Sequence, residues 1–531
     1  MKKWVYVVAL ASILVARALL TNINSAEWGD SYRILRASNF IRQFSYPSDE
    51  KRPPLFSILL AIRPTNIDAV LWGRIFILAI SFASMFVFYK LSQKLLSTKN
   101  QRMLALVFLF LNPVYLYWSL RIYADVPFSL LVMLCFYVFE LWREKLSNKD
   151  KLSMLYPTVM GLICGLGILT RFEGYLLTFA ALVGVIIIAR ERSGRSNPTR
   201  TVLPFLFAAA IVVLPWLIYR NPLTSSYFEE TTGRIYDFET FLTYLVSYIF
   251  VLGIIPAGSA IAAYFFKKSS ISLPGVLKKY PHIAAFVLLE SLLILAWPAA
   301  VPRLFVPIIP FLVIAFVSLW RDDREGSTAI RGAGGDIRDP RRECCDTRTV
   351  QMTGVVAIIL TAIYIIAQNH LRLQFLGSNT TVFLFISAVS VICTLLIILK
   401  RCQLFIFLAI ISMVTLSASV IYLHKDTYRS IKDISIFSLR EARGKIIHND
   451  TSGVVNWYFP ESKYKNFYDE KKYLTQEYLT ENNVDYIILT NETNLNMEID
   501  LEKRPYLSLV KESKYQRGGK IFFTWLVKVQ R

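Results

Sequence analysis

Four stretches of this 531-residue chain set acids, arginines or both at the edges of apolar runs. Near the N-terminus, SAEWGDSYR carries Glu27 and Asp30, and KRPPL follows with Arg52. WSLRIYADVP sets Arg121 before Asp125, ILTRFEGYLL sets Arg171 before Glu173, and AVPRLFVPIIP carries Arg303. One charge at such an edge is most often an interfacial cap or a snorkelling side chain. Together they have the types needed to hold phosphate oxygens through paired, charge-assisted hydrogen bonds while a carboxylate takes a proton from an attacking hydroxyl. A phosphate of low pKa leaves without a general acid, so acids and arginines suffice for transfer of a group from a phosphate.

Such residues act together only if the chain brings them to one face. The composition is 54% hydrophobic and 18% charged, with 36 Phe and 28 Tyr. A soluble domain carries about 25% charge, and disorder needs far fewer apolar residues. The chain reads as an α-helical polytopic membrane protein. Apolar runs long enough for a roughly 30 Å hydrocarbon core number thirteen. They lie near 4 to 20, 68 to 89, 103 to 119, 126 to 142, 156 to 170, 172 to 189, 201 to 219, 240 to 266, 282 to 299, 304 to 320, 350 to 367, 381 to 399 and 404 to 423.

Charge orients them. With the N-terminus inside, the seven inner segments hold 27 of the 59 Lys and Arg. The net charge of +21 is thus largely an orientation signal of the positive-inside kind, with no need of nucleic acid as a partner. The first run, preceded by Lys2 and Lys3 and containing Arg17, reads as an uncut anchor. This topology places the four acid and arginine stretches on the same outer face, in a multi-pass protein with a cytoplasmic N-terminus and an extracytoplasmic C-terminus. Three N-x-S/T sequons, at Asn379, Asn449 and Asn491, fall outside as well.

The membrane body of residues 1 to 423 includes a long outer loop, and a polar tail follows it. In the outer loop, 21 to 67, SYRILRASNFIRQF places Ile34, Leu35, Phe40, Ile41 and Phe44 on one flank and Arg33, Arg36 and Arg42 around the other. RPPLFSILLAI is too short to span, so two interfacial helices roof the body. Residues 424 to 531 read as a small α/β domain, with strands at KIIHND, DYIILTN and IFFTWLVKV and a helix near 472 to 483. The inner loop's GAGGD lacks the ending of a phosphate-binding loop, Cys344 and Cys345 lack further ligands at metal spacing, and no Cys falls in the tail. No cofactor is certain, and a divalent metal, though compatible with the acids, is not indicated.

At these residues the chain resembles the GT-C superfamily of polyprenyl-phosphate-sugar-dependent glycosyltransferases, in particular the dolichyl-phosphate-mannose protein mannosyltransferases and the bacterial aminoarabinose transferase acting on lipid A. The likeness rests on Asp30, the Arg52-Pro53-Pro54-Leu55 stretch, Asp125, Arg171-x-Glu173-Gly174 and the Pro-Arg-Leu-x-x-Pro-x-x-Pro segment around Arg303, over roughly the first 320 residues. It implies a GT-C-like helical body, an inverting displacement on a lipid-linked sugar, Asp30 as base aided by Asp125, and Arg52, Arg121, Arg171, Glu173 and Arg303 around the donor. Relatives often carry two adjacent acids in the first loop. Here Asp30 stands between Gly29 and Ser31, which makes Glu27, a turn away, the second candidate base. The Trp-Trp-Asp signature of oligosaccharyltransferase catalytic subunits is absent.

The implied co-substrate is a polyprenyl-phosphate sugar, dolichyl or undecaprenyl, held in a lipid bilayer. The implied acceptor is a hydroxyl of a protein, glycan or lipid. The competing reading is a multi-span lipid or glycolipid transporter, for which Glu290, the one acid deep in an apolar run, is the discriminating residue.

Overall fold

The computed structural model describes residues 3–147, 155–192, 199–219, 236–244, 280–298, 301–318, 402–467, 470–493, 500–517 and 520–530. The expected apolar runs at 350 to 367 and 381 to 399, most of 240 to 266, the inner loop and Asn379 lie outside these residues. Among the described residues, Ala69–Leu95, Asp125–Leu146 and Thr201–Tyr219 are long and apolar enough to cross a membrane, and five shorter apolar helices accompany them.

The body runs α1 (Lys3–Leu20), α2 (Gly29–Ile41), α3 (Leu55–Ala61), α4 (Ala69–Leu95), α5 (Lys99–Phe110), α6 (Pro113–Trp118), α7 (Asp125–Ser147), α8 (Leu155–Thr170), α9 (Gly174–Arg192) and α10 (Thr199–Tyr219). Then come α11 (Pro281–Ala296), a 3₁₀ turn (Pro302–Phe305), α12 (Ile309–Ser318) and α13 (Cys402–His424). Small residues let neighbours close. A Cβ at Gly161 of α8 would meet the Phe205 carbonyl oxygen of α10 at 2.1 Å, and one at Gly165 would meet that of Ala209 at 2.9 Å. Spaced four apart, the two glycines form the kind of stripe along which membrane helices approach.

Two expected spans are broken. The run at 103 to 119 divides because Pro113 has no N–H to continue α5, and Asn112 starts α6 by accepting from Val114 N and Tyr115 N at 3.1 and 3.0 Å. The freed Phe110 carbonyl is taken by the buried Arg17 at 3.1 Å, whose guanidinium also reaches Ser119 Oγ at 2.6 Å and Ser81. The run at 304 to 320 opens instead with the 3₁₀ turn that holds Arg303. Around Arg171 the chain forms two helices, α8 and α9, joined by a turn in which Gly174 N donates to the Arg171 carbonyl at 2.9 Å.

Both expected surface helices form as α2 and α3. Ile34 and Leu35 pack with Phe56 and Leu60, against Ala69 and Ile77 of α4 and Ile122. Phe44, expected on the apolar flank, is fully exposed in a left-handed turn beyond the helix.

Among the described residues of the tail, 424 to 531, the strands form a five-stranded sheet of order β2-β1-β3-β5-β4. Its strands are β1 (Ile446–His448), β2 (Lys463–Tyr464), β3 (Tyr486–Thr490), β4 (Leu507–Arg517) and β5 (Lys520–Val529). β1 pairs in parallel with β2 and β3, and β5 runs antiparallel to β3 and β4. β1, β3 and β5 are the strands read from the sequence. The edge strands β2 and β4 escaped because edge strands present exposed polar faces. Helix α14 (Arg429–Glu441) covers the sheet with Ile431 and Ile434, and the expected helix at 472 to 483 is two pieces, Glu470–Tyr473 and Gln476–Glu481. Tyr32 of α2 packs in this same cluster, so the first loop and the tail share a core.

Candidate active site

Helix starts and turns deliver the charged residues to one place. Asp30 lies in the first turn of α2, where the helix dipole favours a carboxylate, and Asp125 opens α7. Arg171 and Glu173 occupy the α8–α9 turn, Arg303 the 3₁₀ turn, and Arg52 the segment before α3. All six line one cleft of about 550 Å3, counted with its open mouth, together with Pro53, Phe56, Tyr123 and Phe172 among others.

Two ion-pair groups meet there. Asp30 accepts from Arg52 on one carboxylate oxygen and from Arg303 on the other, at 2.7 Å for Arg303. Arg52 is fixed in turn by Glu50 at 2.9 Å, and Arg303 lies over the Tyr123 ring, 5.0 Å from its centre. Burial pushes the Asp30 carboxyl up, but the Arg52 and Arg303 guanidiniums outweigh it and hold the group well below the usual carboxylate range. In the second group, Arg171 bridges Asp125 and Glu173. Asp125 Oδ2 is buried with no hydrogen bond.

Two residues singled out in the sequence sit elsewhere. Glu27 is fully buried against Arg74 at 2.7 Å, and that arginine also holds the Asn24 carbonyl at 2.7 Å. Arg121 is fully buried between Trp28 and Tyr117, with its guanidinium donating to the Ala26 and His424 carbonyls at 3.4 and 3.1 Å. Neither lines the cleft. Both pin the loop that leads to Asp30. Glu290 of α11 is buried with Oε2 unbonded, and it lies within electrostatic reach of Glu173, Arg171 and Asp125. Tyr123 and Glu50 were missed, although both stand within two residues of charges that were noted.

Residues 51–219 match the family model described as dolichyl-phosphate-mannose-protein mannosyltransferase. That segment contains Arg52, Asp125, Arg171 and Glu173, whereas Asp30 and Arg303 lie on either side of it. No curated protein matches the chain. Among solved structures, the chain is similar to ArnT from Cupriavidus metallidurans bound to undecaprenyl phosphate, with a TM-score of 0.62 at 12% identity, covering 98% of each chain. The same protein in the apo state gives 0.59 at 12% identity, again with 98% of each chain covered. The fold is therefore that of a GT-C glycosyltransferase with a C-terminal α/β region, as the motifs implied. The family model over residues 51–219 indicates glycosyltransferase activity.

Proposed function

We propose that this protein transfers a sugar from a polyprenyl phosphate, dolichyl or undecaprenyl, to an acceptor hydroxyl on the extracytoplasmic side of the membrane, with inversion at the sugar carbon. The acceptor oxygen attacks C1, and the bond from C1 to the phosphate oxygen breaks. The hydroxyl proton passes to Asp30. The leaving group gains a negative charge as the diester becomes a monoester, so Arg303, Arg52 and Arg171 stabilise the transition state more than the bound donor. Asp125 and Glu173 orient Arg171, and Glu27 and Arg121 hold the first loop. The family model and the undecaprenyl phosphate bound to the structurally similar ArnT both favour a lipid-linked donor.

The observation that carries this reading is the convergence of three carboxylates and three arginines, from separate parts of the chain, on one cleft. The test is to incubate the purified protein with a panel of radiolabelled polyprenyl-phosphate sugars and follow release of the lipid phosphate. Turnover of one donor supports the proposal. No turnover on any donor, in the presence of protein, glycan and lipid acceptors, contradicts it.

A further inference from the structure

Asp30 is preceded by a glycine whose missing side chain has a physical reason. A Cβ at Gly29 would lie 2.2 Å from the carbonyl oxygen of Ser452 and 3.0 Å from its carbonyl carbon. The obstacle is backbone and cannot rotate aside. Opposite it, Gly453 has φ +79°, in the left-handed region, and turns the tail away from Ser452, with a would-be Cβ 3.8 Å from the Gly29 Cα. Two glycines thus let a loop of the C-terminal domain close on the first turn of α2.

That loop is stiff. Asp450 accepts from Ser452 N at 2.7 Å and Val455 N at 3.0 Å, and Asn449 exchanges two 2.8 Å hydrogen bonds with the Thr490 backbone. Further ties flank the contact on the α2 side. Ser25 N donates to the Lys425 carbonyl at 2.7 Å, and Lys432 Nζ returns to the Ser25 carbonyl at 2.6 Å. The Trp28 ring packs edge-on against Trp118 and Tyr428, and Tyr32 lies against Trp457. Yet among the described residues none of the tail lines the cleft.

We infer that Gly29 and Gly453 are positioning residues, through which the C-terminal domain seats α2 so that Asp30 meets Arg52 and Arg303. The inference rests on the proposed role of Asp30 as base. A misplacement of about 1 Å at a reacting group costs on the order of 10²-fold in rate. The domain then acts on the chemistry through its contacts with α2 and the loop before it.

The test compares Gly29→Ala, Gly29→Val, Gly453→Val and Gly453→Asn in the full chain, with Asp30→Asn alongside. Initial rates are taken on whichever panel donor turns over, and undecaprenyl phosphate serves as the binding probe. Expected are a graded fall in kcat from Gly29→Ala to Gly29→Val, reaching about 10²-fold, with KM and lipid phosphate affinity within about threefold of wild type. Gly453→Val falls likewise, whereas Gly453→Asn, whose residue tolerates the left-handed region, keeps most of the rate. Should Gly29→Val fail to fold, the Gly453 pair decides. Wild-type kcat in both valine variants beside an inactive Asp30→Asn overturns the inference and leaves the base assignment standing. A rise in KM with kcat unchanged also overturns it. Full activity of Asp30→Asn removes the base assignment itself, and the inference with it.

Discussion

Arg303 donates to Asp30 across 2.7 Å, joining residues 273 positions apart and closing the cleft between the first loop and the segment after α11. With Arg52 on the other carboxylate oxygen, Asp30 is held ionised between two cations. The pH dependence of the protein should follow from this pair.

The folded-state pKa of Asp30 is depressed, because the guanidiniums of Arg52 and Arg303 outweigh the opposing effect of burial. Its contribution to stability is therefore present above the ordinary aspartate range and is lost as pH falls through the folded value. Arg52→Gln should move the acid limb of kcat/KM to higher pH. Donor phosphate draws on the same arginines, so the acid limb of kcat should lie above that of kcat/KM. Identical acid limbs in wild type and Arg52→Gln would show that Arg52 does not tune this carboxylate.

Arg171 forms ion pairs with both Asp125 and Glu173, and Asp125 is only 1% exposed. Removing one member of a buried pair costs about 3 to 5 kcal/mol, because the other charge is left uncompensated. Arg171→Gln should lower the thermal unfolding midpoint, and adding Asp125→Asn should restore part of it. Additive losses in the double variant would show that the two side chains do not act as a pair.

Glu290 separates transfer from transport. It does not line the cleft, so Glu290→Gln, which keeps shape and hydrogen bonding, should leave the transferase rate within a few-fold of wild type. Complete loss of function in that variant, with the protein folded, would favour the transport reading.

Asn449 is fully buried and joins β1 to β3 through the Thr490 backbone, so this sequon serves the sheet. Asn449→Ala leaves the Thr490 groups unsatisfied at a cost of about 1 to 3 kcal/mol. The tail should lose protection in hydrogen exchange, and mass spectrometry of the folded protein should find no glycan at Asn449. A glycan at that position would contradict the burial.

Much of this was legible because apolar runs, turn residues and acid–arginine spacing are local properties. The two surface helices, three of the five strands and six of the eight singled-out charges in the cleft came from such signals. Pairing was not legible. Nothing local tells that Arg303 meets Asp30, or that Arg121, a few residues before Asp125, turns away to hold the Ala26 and His424 carbonyls. Glu27 and Asp30 differ only in direction: three residues apart, one faces Arg74 in the interior and the other faces the cleft. The break at Asn112 was written in Pro113, but a continuous apolar run masked it.

The most direct test sets wild type beside Asp30→Asn on the polyprenyl-phosphate sugar that turns over, with binding of the lipid phosphate measured in parallel. Loss of the base should cost roughly 10² to 10⁴ in kcat, with the variant still folded and still binding the lipid phosphate. Equal turnover by the two proteins would contradict the assignment of Asp30 as the base.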